Sequence, residues 1–190
     1  MKRINKLLLT TVLSGGIGLW GAAALAADEG LSHSDKAFLK DAAEINLGEI
    51  KEGEAAQQKA VGSEAKMMAE HIIKDHQEAQ ADLEKLAQSK SVELPKEPSL
   101  TQKASLALLE KKEGEKFDKD FLDSQLKGHK KAIALFEKTA KESKDADIKA
   151  YAEKMLPGLK SHLAMAEKST PAAVGEAPMK HANRTHKSNQ

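Results

Sequence analysis

The chain contains no cysteine. Disulfides, thiolate metal ligands and thiol nucleophiles are excluded together, so any metal must be held by nitrogen and oxygen. Aromatic residues make up only 3% of the composition, which starves a β-sheet of the side chains it packs with. Neither sign of charge dominates: 30 Lys and Arg against 29 Asp and Glu leave a formal charge of +1. Such a balance offers no footprint for nucleic acid or an anionic membrane surface. A Gly-rich phosphate loop, a His-Glu-x-x-His pair and a basic patch interleaved with aromatics are all missing as well. Ala, Leu, Lys and Glu are abundant instead, and that composition predicts an all-α chain.

Residues 1–26 carry Lys2, Arg3 and Lys6, then Leu7-Leu8-Leu9, an apolar run from Ile17 to Trp20, and Ala24-Leu25-Ala26. A basic start, an apolar middle and small residues at the end predict a signal peptide cut after Ala26. Ser14-Gly15-Gly16 interrupts the apolar middle, which falls short of the ~20 apolar residues of a spanning helix. The expectation is an exported periplasmic protein with no transmembrane segment, at most loosely associated with the outer membrane. Losing three positive charges and no negative ones changes the formal charge from +1 to −2. After Lys168, the composition of residues 169–190, with His181 and His186, predicts a disordered tail.

Residues 32–168 read as one helical domain. A first long helix begins near Ser34, with Ser32 and Ser34 as caps, and ends at Val61-Gly62, where the glycine suits a left-handed terminal residue. Ser63 caps a second helix running to about Ser89, and so short a turn makes the pair antiparallel. Pro95 and Pro98 keep the next stretch extended, and Ser99 with Gln102 forms a capping box for a short extra helix. The linker is long enough to travel the length of a helix of ~39 Å, so a long crossover joins the second and third long helices. The third runs from about Lys116 to Glu142 and the fourth follows Asp145, again antiparallel. Pro157-Gly158 removes a backbone hydrogen bond to Glu153 and should bend the fourth helix before His162.

Three apolar stripes each contain one histidine. They read Ala65, Ala69, Ile72, His76, Ala79, Leu83; then Leu122, Gln125, His129, Ala132, Phe136; then Tyr151, Met155, Leu159, His162, Ala166. In the first helix the stripe Phe38, Ala42, Ile45, Glu49, Ala56 places a carboxylate inward. All four groups lie near mid-length of their helices. One lone inward histidine is ordinarily a satisfied core residue, but three at one level need partners for every ring nitrogen, at about 1–3 kcal/mol for each group left without one. The expected site is therefore one transition-metal ion, zinc, iron, copper or manganese, held by His76, His129, His162 and Glu49, with Glu52 or Asp75 behind them. The Glu-x-x-His pairs of di-iron bundles are absent, since Ile73, Leu126 and Leu159 stand three residues before the histidines. His71 is about 140° around its helix from His76 and reads as a solvent-side residue beside Asp75. Met67, Met68, Met155 and Met165 read as core filler rather than copper(I) ligands.

The stretches Lys36 to Glu49, Lys74-Asp75-His76, Phe121 to Glu137 and Leu156 to Leu163 together resemble the bacterial domain-of-unknown-function family 4142. That resemblance implies a ferritin-like four-helix bundle exported from the cytoplasm, with no activity attached to it. Members are often labelled outer membrane proteins, which fits poorly with a chain lacking alternating barrel strands. The leading expectation is a metal-binding bundle rather than an enzyme. Its competitor is a non-catalytic module, without metal, acting in envelope stress or on an envelope protein partner.

Overall fold

Helix formation starts where a hydroxyl can take the first free amides. Ser32 accepts from the Asp35 amide at 3.0 Å, and α1 runs from His33–Lys59. The computed structural model describes residues 30–170; the expected signal peptide and nearly all of the expected tail lie outside the described residues. Beyond α1 come α2 (Ser63–Ser89), the short α3 (Leu100–Leu109), α4 (Gly114–Glu142) and α5 (Ala146–Ser169). Among the described residues there are five helices and no strand, and none of the helices is long and apolar enough to cross a membrane. The Ser99 and Gln102 capping box forms as expected. Helix α5 continues through Pro157, and Pro157 and Gly158 both face solvent.

Side-chain pairs fix the helix directions. Val61 meets Asp118, Glu52 meets Ser124 and Phe38 meets Phe136, so α1 and α4 run antiparallel. Asp75 meets His162, Asp82 meets Lys154 and Lys90 meets Asp145, so α2 and α5 also run antiparallel. With short turns inside each hairpin, α2 and α4 point the same way, and the chain between them must return along the bundle. Val92 and Leu94 pack on the cluster around Phe38 and Phe136 at one end, whereas Leu106 and Leu109 pack on the cluster around Phe117 and Phe121 at the other. The linker therefore spans the distance the sequence allowed it.

The α1–α2 turn differs from expectation. Gly62 has φ −80° and the cap residue Ala60 has φ −64° and ψ 138°, so neither is left-handed. The glycine is required by close approach instead: a Cβ there would stand 2.9 Å from Asp118 Oδ2. Asp118, on α4, accepts from the Val61 amide at 3.1 Å and the Gly62 amide at 2.7 Å, serving the start of α2, which has no side-chain cap of its own. Asp118→Ala should cost about 1–2 kcal/mol. In urea unfolding, the midpoint should fall with an unchanged m-value.

Two apolar clusters make the core. One gathers Ala56, Met68, Ile72, Phe117 and Phe121; the other gathers Leu39, Leu83, Phe136, Ile148 and Ala152. Each long helix contributes to both, and each carries buried polar residues between its two contributions.

Candidate metal centre

That polar layer consists of Asn46 on α1, His76 and Gln80 on α2, Gln125 and His129 on α4, and His162 on α5, all buried. The three histidines are exposed by 3%, 1% and 3% in chain order. One ring nitrogen from each lies within 4.8 Å of one from each of the others, and the ring centroids are 5.8, 5.5 and 5.2 Å apart. His129 Nε2 and His162 Nδ1 are 3.2 Å apart. Two nitrogens bound to one tetrahedral zinc ion would be ~3.3 Å apart, given bonds of 2.0–2.1 Å.

Counting protons shows what the trio needs. His129 Nδ1–H donates to the Gln125 carbonyl at 2.9 Å, and His162 Nε2–H donates to Asp75 Oδ2 at 3.0 Å. Neither oxygen can donate, so both tautomers are fixed. His76 is fixed by a longer chain: Gln80 Nε2 donates to Glu84 at 3.0 Å, turning Gln80 Oε1 toward Asn46 Nδ2 at 3.4 Å. Asn46 Oδ1 is left to accept from His76 Nδ1–H at 3.0 Å. A neutral imidazole has a single N–H, so the three remaining nitrogens all carry lone pairs. His76 Nε2 is buried with no partner, and the 3.2 Å pair sets one acceptor against another.

Such an arrangement calls for a cation. Burial, reinforced by His129 and His162, holds His76 well below the ordinary imidazole range. Burial lowers His129, against the opposing pull of its bond to Gln125. Burial and the neighbouring His129 lower His162, with Asp75 opposing. A proton between two rings would also leave the third unsatisfied. A metal ion can take all three lone pairs at once, and the outward N–H bonds are those that orient metal-bound imidazoles. A small cavity of about 50 Å³ lies beside His76 and His162.

Glu49 does not join this group. The buried line on α1 runs Leu39, Ala42, Ala43, Asn46, Gly53 and Ala56, so Asn46 faces His76, while Ile45 and Glu49 flank the line, half-buried. Glu49 turns toward α4 beside Glu52. Its Oε2 is sealed from solvent and has no partner, and burial, opposed by a hydrogen bond from Gln125, pushes the carboxyl up to about 7. Glu52 accepts from Ser124 Oγ at 2.9 Å and Gln125 Nε2 at 3.1 Å. Burial and the adjacent Glu49 push it up to about 7 too. Of the two carboxylates expected behind the ligands, Asp75 touches a histidine and Glu52 bonds to Ser124 and Gln125 instead. His71 is exposed.

The family model described as Domain of unknown function (DUF4142) matches residues 21–168. The chain belongs to that family. No curated protein matches it. A crystal structure of a DUF305 fragment from Deinococcus radiodurans is similar at 12% identity, with a TM-score of 0.65, covering 73% of this chain and 96% of that one. At that identity the likeness shows a shared helical fold.

Within this DUF4142 domain, sequence reasoning missed Asn46 and the bonds that orient His76. One signal was readable: His76, Gln80 and Glu84 follow at four-residue spacing on α2, the pattern of side chains stacked along one face. Asn46 left no comparable trace, because its partner His76 is 30 residues away in the chain.

Proposed function

We propose that this chain is an exported, ferritin-like four-helix bundle protein that binds one transition-metal ion through His76, His129 and His162. The observation that carries the reading is the buried, partnerless His76 Nε2 facing the other two ring nitrogens. With Glu49 outside the group, a nitrogen-only set favours zinc or copper(II) over manganese, which prefers oxygen. When bound, such an ion would supply Lewis acidity. The adjoining cavity of about 50 Å³ is far below the ~300 Å³ of the smallest usual organic-ligand sites. Holding a metal ion thus fits better than turning over a substrate.

Protein made without a histidine tag, loaded with Zn²⁺ and dialysed, should retain one zinc per chain, and the His76→Ala/His129→Ala double variant should retain none. Equal zinc in both would sink the proposal. Export to the periplasm rests on the pattern of residues 1–26, and the mass of the mature protein from an envelope fraction tests it: a chain still beginning at Met1 speaks against it. The competing partner-binding module draws support from Leu100 and Leu108 on α3, 85% and 61% exposed. It becomes the better reading if zinc is not retained.

A further inference from the structure

A cavity of about 520 Å³ opens between α1, α3 and α4, on the side of α1 where Glu49 and Glu52 stand. We propose that it holds a second cation, a hard divalent ion of the Mg²⁺ or Mn²⁺ class, bound by Glu49 and Glu52 with the Gln125 amide oxygen and the Ser124 hydroxyl. This site is separate from the imidazole trio and does not depend on it.

Glu49 and Glu52 are three residues apart on α1, a spacing that puts both carboxylates on one face. The hydrogen bonds to Glu52 come from neutral donors, Ser124 Oγ and Gln125 Nε2, so when the carboxyl is ionised they do not neutralise its charge. Two oxygens go further. Glu49 Oε2 is buried without a partner, and so is Oε1 of Gln125, a residue with no exposed surface whose amide already reaches the carboxylates. An amide oxygen and an ionised carboxylate oxygen cannot satisfy each other without a proton or a metal ion between them. Burial of uncompensated polar atoms is costly, and one cation would serve both.

Two glycines let side chains pass close to the backbone around the pair. A Cβ at Gly128 would stand 3.1 Å from Glu49 Oε1, and one at Gly48 would stand 2.5 Å from the Gln102 amide of α3. The cavity opens to solvent, which can supply the water ligands a magnesium-class ion keeps. The donors are all oxygen, so the ion class differs from that of the nitrogen trio.

Mn²⁺ is the probe, added to full-length protein whose imidazoles have first been filled with Zn²⁺. Loss of the free-ion electron paramagnetic resonance signal should report one bound Mn²⁺ per chain. Glu49→Gln and Glu52→Gln, which keep side-chain shape, should each weaken binding at least about tenfold. Ser124→Ala should weaken it less, and circular dichroism should show all three folded. The His76→Ala/His129→Ala variant should still bind Mn²⁺. The proposal is overturned if wild type leaves Mn²⁺ free, if folded glutamate variants bind it as wild type does, or if the folded histidine variant loses it.

Discussion

Zinc added to metal-free protein at pH 7.5 should raise the melting temperature by about 8–16 °C. A ligand at a thousand times its Kd stabilises the native state by about 4 kcal/mol, and each kcal/mol moves the midpoint by roughly 2–4 °C for a domain of this size. The trio is suited to this because no proton must be displaced: burial holds all three imidazoles below their ordinary range, so they are neutral at pH 7.5. His129→Gln is the discriminating variant. It removes the Nε2 that faces His162 Nδ1 at 3.2 Å and leaves His181 and His186 in place. A zinc-dependent rise of the same size in that variant would move the binding away from the trio.

The trio was legible in the sequence because α2, α4 and α5 each present a strong contrast between one apolar face and a charged remainder. Ile72, Leu83, Leu122, Phe136, Tyr151 and Leu159 mark those faces and the histidines fall in line with them. On α1 the contrast is weak. Beyond Phe38 and Leu39 its buried positions are small or polar, Ala42, Ala43, Asn46, Gly53 and Ala56 among them, while the larger Ile45 and Ile50 lie half-buried at the edges. The bulky residues pull the apparent stripe off the true one, and Glu49 reads as facing the histidines, the place Asn46 takes. Gly62 escaped for a different reason. Its constraint comes from Asp118, 56 residues on, which no local pattern encodes.

Glu49 and Glu52 lead to the second large effect, measured with chelator present. Burial raises both carboxyls from 4.5 to about 7 in the folded chain. Groups raised in this direction contribute stability that is complete below pH 4.5 and lost as pH rises through about 7. A shift of that size corresponds to roughly 3 kcal/mol per isolated group, and mutual repulsion shares part of it, so about 2 kcal/mol is expected for either residue. Glu52→Gln, which stays neutral, should therefore match wild type at pH 4.5 and exceed it by about 2 kcal/mol at pH 8.

The imidazoles act with the opposite sign. Their folded values are depressed below 6.5, so their contribution is complete above pH 6.5 and drains away as pH falls toward those values. Between pH 4.5 and 6.5 the native carboxyls hold protons that the unfolded chain has released, while the unfolded histidines bind protons that the native ones refuse. The two slopes oppose each other, so wild-type stability should change less across that window than either set of groups alone would make it change. Each glutamate replaced by glutamine removes up to about 1.4 kcal/mol per pH unit of that compensation. The Glu49→Gln/Glu52→Gln variant should then be more stable than wild type at pH 8 yet lose stability much faster on acidification, as read by urea midpoints at half-unit pH steps. Parallel curves for variant and wild type would mean that the two carboxylates are ionised in the folded chain.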